Sequence, residues 1–305
     1  IERAPVCGPY RAYRVCGFPL PSSGGIAVLQ MLGMLERFDL AAMEPAGFWS
    51  VHLVSEAGRL AFADRSVYMA DPAFYTPPAS LLDPAYVAAR SALIRTDTSL
   101  RRAAPGTPPV RAAGADKVAW GTDAALDLPS TTQVSIVDGE GNALAMTSTI
   151  EHQFGSHLMT AGGFLLNNEL TDFSFVPDED GKPVANRVEG GKRPRSSMAP
   201  TIAYDRTGRV AIVLGSPGGS AIINYVVKSL IGIVDWGLDP QAAADLPNFG
   251  SRNGPTELEA DTDLVPLAPK LRALGADVSV LEQTSGVQAI VRTRDGWVEI
   301  GRAHV

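Results

Sequence analysis

The chain has 305 residues, of which 45% are hydrophobic and 19% are charged, and its formal net charge is −7. This composition is typical of a globular protein with a substantial core, and the length allows one large domain or two ordinary ones. It has no basic patch of the kind that binds phosphate backbones, since Arg101-Arg102 alone is too little, and nucleic acid is therefore an unexpected partner. No apolar run approaches the ~20 residues that a membrane span needs.

The N-terminal segment has two features that bear on how the chain is processed and in which compartment it resides. It begins with Ile1 and lacks both a methionine and the apolar core of a signal peptide, so we expect a fragment or a processed product. The two cysteines, Cys7 and Cys16, can face each other across a short hairpin within disulfide distance. A disulfide would indicate an oxidising compartment, and two free thiols are the alternative.

Helices dominate the predicted structure of the first hundred residues. An amphipathic helix is indicated by apolar residues at helical spacing: Ile26, Leu29, Leu32 and Leu35. A second helix is predicted from about Phe48 to Tyr68, before Asp71-Pro72, and a weaker third one from Pro84 to Leu93. Residues 96–130 lack periodicity and are rich in Ala, Pro, Gly and Thr, which indicates a linker.

The second half is predicted to be richer in strands. Residues 131–137 and 143–150 alternate apolar and polar side chains around a turn at 138–142, the pattern of a hairpin. A long polar loop is predicted at 176–195. Further strands are predicted at 163–167, 199–204, 209–214, 277–281 and 287–292, with helices at 221–235 and about 266–274. The fold class that follows is α+β, with an antiparallel sheet flanked by helices.

The pair Thr131-Thr132 opens the predicted hairpin after the loose segment Leu128-Pro129-Ser130. A threonine at a strand start usually serves only as a β-former. Cleavage before Thr131 would, however, free an α-amine that can act as the base for its own hydroxyl, so that the hydroxyl becomes a nucleophile without histidine.

Three other groups of residues suit the chemistry of such a nucleophile. Gly218 and Gly219, between a strand and a helix, can present backbone N–H groups to an oxyanion, or simply form a tight turn. Ser196 and Ser197 follow a basic stretch, which suits a carboxylate, although an ordinary serine turn is the alternative. Glu169 and Asp172 suit an ammonium group, or are acidic residues in the first turn of a helix.

Five sequence blocks resemble the γ-glutamyltransferases, also called γ-glutamyl transpeptidases or glutathione hydrolases. In chain order they are Pro-Leu-Pro-Ser-Ser-Gly-Gly-Ile (19–26), Thr-Thr-Gln-Val-Ser-Ile-Val-Asp (131–138), Asn-Asn-Glu-Leu-Thr-Asp-Phe (167–173), Lys-Arg-Pro-Arg-Ser-Ser-Met-Ala-Pro-Thr (192–201) and Gly-Ser-Pro-Gly-Gly-Ser (215–220). The resemblance implies the αββα sandwich of the N-terminal nucleophile hydrolases, incomplete in this chain. Residues 1–130 would be the mainly helical end of a large subunit, closing in a processing loop, and 131–305 the small subunit with the catalytic sheet.

The resemblance also implies a role for each candidate residue. The precursor would cut itself between Ser130 and Thr131 through an N→O acyl shift, and Thr131 would then attack the γ-glutamyl carbonyl of glutathione or a related donor. The remaining roles are oxyanion binding by Gly218 and Gly219, α-carboxylate binding by Ser196 and Ser197, α-amine binding by Glu151, Glu169 and Asp172, and a hydrogen bond from Thr149 to the nucleophile. Water or an amino-acid or peptide amine would accept the acyl group.

No cofactor and no metal are expected, and the family suggests a periplasmic or secreted enzyme. The sequence departs from the family at Ala221, where many members have Arg, and at Glu151, where some have Asn. The loop between Asp172 and Ser196 shows no equivalent of the family's lid tyrosine. The N-terminal part of the large subunit, with an arginine that grips the α-carboxylate, is missing, and we expect it as a partner.

Two other functions stay open. One is a related acylase, such as a cephalosporin acylase or a poly-γ-glutamate-processing enzyme. The other is a non-catalytic chain, unprocessed or truncated. Elsewhere, His52 and Glu56 lie four apart on a predicted helix and form either a metal pair or, more simply, a helix-surface hydrogen bond. His152 and His157 are interpreted as structural, and the acidic run 178–180 as a solvated loop rather than a Ca²⁺ site.

Overall fold

A computed structural model describes residues 1–109, 119–123, 130–283 and 285–302. The strands are β1 (Val6–Tyr10), β2 (Tyr13–Gly17), β3 (Thr132–Val137), β4 (Ala143–Ser148), β5 (Asp178–Glu179), β6 (Lys182–Pro183), β7 (Thr201–Tyr204), β8 (Val210–Gly215), β9 (Phe249–Gly250), β10 (Thr256–Glu259), β11 (Val278–Leu281), β12 (Gln288–Thr293) and β13 (Gly296–Gly301). The α-helices are α1 (Gly24–Leu35), α2 (Phe48–Tyr68), α3 (Pro84–Ser91), α4 (Ile222–Val234), α5 (Pro240–Asp245) and α6 (Ala268–Ala273).

A six-stranded antiparallel sheet in the order β1-β2-β7-β8-β12-β13 forms the centre of the fold. Helices α1 and α4 pack on it, and α2 packs against α1. The β3–β4 hairpin forms a second layer against β8 and β12. Residues 211–215 of β8 are buried without a break, which is expected of a strand covered on both faces. The predicted α+β class is confirmed.

The β3–β4 hairpin turns its polar side chains toward the sheet. Gln133 lies over β8, where Gly215 leaves room for it, because a Cβ at that position would lie 2.3 Å from the Gln133 Oε1. The apolar face points outward, with Ile136, Leu144 and Met146 each 44–48% exposed. The sandwich is thus incomplete in the part of the chain that the structure describes, because its second sheet has two strands with an uncovered apolar face.

Several sequence-based expectations differ from the structure. The α1 helix is buried on nearly every side rather than amphipathic. Residues 163–167 do not form a strand, and Leu165 makes only an isolated bridge to Met159. Helix α5 and strands β10 and β13 were not predicted. None of the helices within the described ranges has both the length and the apolar character of a membrane span.

Part of the predicted 96–130 linker is packed against α2. The Leu100 amide donates to the Glu56 carboxylate at 2.8 Å, and the Gly106 amide donates to Asp64 at 2.8 Å. Buried acceptors on α2 therefore hold residues 99–106, although the stretch has no periodicity. Residues 110–118 and 124–129 of the predicted linker and processing loop lie outside the described residues.

The cysteine and histidine hypotheses have clear outcomes. Cys7 and Cys16 face each other across β1 and β2 and are disulfide-bonded. His52 and Glu56 are both buried, so the expected helix-surface hydrogen bond is wrong. His52 Nε2 contacts the Arg95 carbonyl at 2.7 Å, and Glu56 forms an ion pair of 3.1 Å with Arg59. Within the described ranges, no group of three or more potential metal ligands is found.

Candidate active site

Thr131 and Thr149 lie beside each other at the open end of the β3–β4 hairpin. The strand register pairs Thr132 with Ser148, so the residues that flank this pair are neighbours. Both residues line the same cavity as Gly219, in the turn after β8. The Thr149 hydroxyl accepts a hydrogen bond of 2.9 Å from the Glu151 amide, which fixes its position.

The backbone of Thr131 is strained. Its φ is +118°, a region that β-branched residues rarely adopt and that typically costs about 1–3 kcal/mol. This torsion is defined by the peptide bond to Ser130. Cutting that bond would therefore remove the constraint.

Gly218 and Gly219 form the turn between β8 and α4, and the turn needs them. Their φ values are +134° and +58°, which glycine adopts without a steric penalty. The Gly218 N–H donates a hydrogen bond of 3.2 Å to the carbonyl oxygen of Ser130. A backbone donor thus already contacts the carbonyl of the peptide bond that precedes Thr131.

Ser196 and Ser197 are held by the turn that precedes α1. The Ser23 amide donates to the Ser196 carbonyl at 2.8 Å, and the Ser22 hydroxyl donates to the Met198 carbonyl at 2.6 Å. The Ser196 hydroxyl also accepts from the Met198 amide at 3.1 Å, the serine turn that the sequence left open. The sequence block at residues 19–26 therefore positions the block at residues 192–201, which contains the serine pair.

Three carboxylates, of Glu151, Glu169 and Asp172, gather on the other side. Glu151 is 5% exposed and accepts a hydrogen bond from the Asn168 side-chain amide. Burial, and then the negative charge of Glu151, raise the pKa of Glu169, while a hydrogen bond with Asp172 acts in the opposite direction. The Glu169 Oε1 is buried without a hydrogen-bond partner among the described residues. A cation would satisfy this oxygen and relieve the repulsion.

Most of the predicted site residues share one small cavity of about 30 Å³. Its lining residues are Thr131, Thr149, Glu151, Asp172, Ser196, Ser197, Met198, Gly219 and Ile222. Gly218 and Glu169 do not line the cavity. Gly218 precedes the lining residue Gly219 in the chain, and Glu169 contacts the lining residue Asp172. The volume is enough for one or two water molecules and far too small for an amino acid.

A sequence model of the Gamma-glutamyltranspeptidase family matches residues 1–302 of the chain. The chain belongs to this family. It is 37% identical over 310 aligned residues to a protein named glutathione hydrolase proenzyme from Escherichia coli (strain K12), covering 97% of this chain and 50% of the relative. The chain thus spans about half the length of this curated relative.

Other proteins that are similar to this chain carry different names. A protein named Acylase ACY 1 proenzyme from Pseudomonas sp. (strain V22) is 36% identical over 259 residues, covering 84% of this chain and 42% of that one. The crystal structure of a cephalosporin acylase from Bacillus halodurans superposes with a TM-score of 0.80 at 24% identity, covering 99% of this chain and 51% of the other. The latter likeness supports the sandwich fold alone.

The sequence analysis missed Arg65, a buried residue of α2. Its Nη2 donates to the Ser197 hydroxyl at 2.6 Å, and its Nε donates to the Ser23 hydroxyl at 2.8 Å. Arg65 therefore brings positive charge directly behind the serine pair. The helical pattern gave no signal for this, because the contact depends on how α2 packs against a loop far away in sequence.

The basic side chains of the stretch before the serines form ion pairs with carboxylates. Lys192 pairs with Glu189 at 2.8 Å, and Arg193 approaches Asp71 at 3.8 Å. Arg195 is buried against Asp123 at 2.9 Å. The side-chain contact between a cation and the Ser197 hydroxyl is made by Arg65, which the sequence pattern did not indicate.

Glu151→Gln is expected to lower the pKa of Glu169, because it removes the negative charge that, after burial, raises this pKa. The pKa should stay above its ordinary value, since burial remains. Carboxyl ¹³C NMR titration would measure it, with the exposed Glu140→Gln on the hairpin turn as the control. An unchanged pKa of Glu169 in Glu151→Gln would show that the carboxylates do not interact.

Proposed function

We propose that the chain supplies the nucleophile of a γ-glutamyl-transferring or -hydrolysing enzyme, which acts on glutathione and related donors after cutting itself before Thr131. The hydrogen bond from the Gly218 amide to the Ser130 carbonyl carries this proposal. A donor that polarises this carbonyl favours attack on it by the adjacent hydroxyl. The proposed subunits are residues 1–130, as the end of the large one, and 131–305, as the small one.

The proposed self-cleavage needs only groups of this site and water. The Thr131 Oγ attacks the carbonyl carbon of Ser130, and negative charge on the oxygen is stabilised by the Gly218 N–H. The C–N bond then breaks, and the hydroxyl proton passes to the nitrogen, which leaves an ester and a free α-amine. Water hydrolyses the ester to the Ser130 carboxyl group and restores the Thr131 hydroxyl.

Cleavage also supplies what the uncut site lacks. The Thr131 nitrogen becomes a base only when it is no longer an amide. Departure of Ser130 would free the Gly218 N–H for a substrate carbonyl. The same amide would therefore serve first the cleavage and then each turnover.

In turnover, the Thr131 α-amine takes the hydroxyl proton as Oγ attacks the γ-carbonyl of the donor. Gly218 and Gly219 bind the oxyanion, and Thr149 hydrogen-bonds the nucleophile. Collapse expels the donor's amine with that proton and leaves a γ-glutamyl ester on Thr131. Water or an amino-acid or peptide amine then takes the acyl group.

The two ends of the site match a free amino-acid end of the donor. Ser196 and Ser197, with Arg65 behind Ser197, suit the α-carboxylate. Glu151, Glu169 and Asp172 suit the α-ammonium, which would satisfy the orphaned Glu169 oxygen. An acylase for acyl groups without an amine, the alternative that the ACY 1 relatives raise, has no evident need for three clustered carboxylates.

Partners and location are part of the same proposal. The preceding part of the large subunit would complete the sandwich over the exposed face of the β3–β4 hairpin. The Cys7–Cys16 disulfide supports a periplasmic or secreted enzyme, because disulfides persist in oxidising compartments. The remaining alternative, a non-catalytic chain, would hold if the 130/131 bond stays intact.

Thr131→Ala is expected to abolish both self-cleavage and release of 4-nitroaniline from γ-glutamyl-4-nitroanilide, because it removes the attacking oxygen. Intact-mass spectrometry should show one uncut chain instead of pieces 1–130 and 131–305. The adjacent Thr132→Ala, whose side chain is exposed on the outer face of the hairpin, should behave as wild type. Cleavage or turnover retained in Thr131→Ala would exclude Thr131 as the nucleophile.

A donor without the α-amine is expected to be a poor substrate. Glutaryl-4-nitroanilide should show kcat/KM lower than γ-glutamyl-4-nitroanilide by about 10²-fold or more, since it forfeits hydrogen bonds to charged groups of about 1.5–3 kcal/mol each. Glu169→Gln should reduce the difference between the two kcat/KM values, because it should lower kcat/KM for the γ-glutamyl donor only. Equal kcat/KM for both donors in the wild type would favour the acylase alternative.

A further inference from the structure

Asp123 lies upstream of the bond proposed to be cut and is buried among residues downstream of it. Its Oδ2 forms an ion pair with Arg195 Nη2 at 2.9 Å, with side chains 0% and 2% exposed. The same oxygen accepts from Asn186 Nδ2 at 2.8 Å, and the Asp123 amide donates to the Ser66 carbonyl at 3.0 Å. A buried carboxylate held this way has little freedom to move.

The partners of Asp123 reach both ends of the proposed donor site. Arg195 directly precedes the serine pair, and its amide donates to Asn186 Oδ1 at 2.9 Å. Asn186 Nδ2 also donates to the Asp172 carbonyl at 2.8 Å. Asp123 is thus one residue removed from the carboxylate-binding serines on one side and from the ammonium-binding carboxylates on the other.

The rest of the segment 119–123, the upstream anchor, is seated independently of Asp123. The Gly121 amide donates to the Pro183 carbonyl at 2.9 Å. The Trp120 ring packs edge-on against Tyr75, with 5.4 Å between the ring centroids. Replacing the Asp123 carboxylate should therefore change the charge that faces Arg195 and Asn186 while these other contacts remain.

We propose that the upstream anchor stays bound after cleavage and that Asp123 is a positioning residue for the donor site. The end of the 1–130 piece would then complete the 131–305 piece, by fixing Arg195 and Asn186 and through them the serine pair and Asp172. This inference rests on the proposed function, because a donor that spans the two ends needs them at a fixed separation.

The first test is the kinetics of Asp123→Asn, which keeps the shape and removes the charge. We expect KM for γ-glutamyl-4-nitroanilide to rise about tenfold with a smaller change in kcat, and the preference over glutaryl-4-nitroanilide to fall by a similar factor. Arg195→Gln should change KM and the donor preference in the same way. The double variant should change them no more than either single variant, because all three variants remove the same ion pair between Asp123 and Arg195.

The matched control is Asp235→Asn. Asp235 also pairs with an arginine, Arg11, at 2.8 Å and is 3% exposed. It follows α4, whose 13 residues place it about 20 Å from Ile222 at the cavity. Its loss should leave KM and the donor preference unchanged, so a general loss of stability is separated from loss of positioning.

Amide hydrogen exchange tests the anchor without cleavage or turnover. In Asp123→Asn, peptides that contain residues 195–198 and 172–173 should exchange faster than in wild type, with no change in the Asp235→Asn control. Wild-type KM and donor preference in Asp123→Asn, or unchanged exchange in these peptides, would overturn the proposal. A wild-type protein without γ-glutamyl turnover would instead refute the proposed function, while the exchange data would still decide whether Asp123 positions these segments.

Discussion

The hydrogen bond from the Gly218 amide to the Ser130 carbonyl is the contact on which the proposed chemistry depends. It joins the mouth of the β3–β4 hairpin to the turn between β8 and α4, and each side requires an unusual backbone. Gly218 has φ of +134°, and Thr131 has φ of +118°. Only glycine adopts the first without penalty, and the second disappears when the bond to Ser130 is cut. Cleavage of the bond between Ser130 and Thr131 would therefore relieve the backbone strain at Thr131.

The charges around this contact divide the site into two ends. At one end, the Arg65 guanidinium donates a hydrogen bond to the Ser197 hydroxyl and brings positive charge to the serine pair. On the opposite side, burial and the charge of Glu151 raise the pKa of Glu169, whose Oε1 has no hydrogen-bond partner within the described ranges. Neighbouring carboxylates that are buried and repel each other are expected where a cation binds. A donor with a free α-ammonium and a free α-carboxylate matches both ends of the site, whereas a simple acyl group matches only one end.

Local sequence patterns predicted much of the fold and the family, and they failed where distant packing decides. The bounds of α2 and the β3–β4 hairpin followed from periodicity and turn residues. The alternation in β3 could not show that Gln133, rather than Ile136, faces the sheet, because a two-residue period specifies two faces but not their neighbours. Residues 163–167 have strand-forming side chains but only a single bridging partner. Arg65 and Asp123 lacked any local signal, since their function depends on contacts with Ser197 and Arg195 across the fold.

The central claim, that Thr131 forms the acyl-enzyme, is tested most directly by trapping that intermediate. The cleaved protein would be mixed with a γ-glutamyl donor, quenched in acid within the first turnover, digested and analysed by mass spectrometry. One γ-glutamyl group should be found on the peptide that begins at Thr131. Turnover without this adduct, or a γ-glutamyl group on Ser196 or Ser197 instead, would contradict the assignment of the nucleophile.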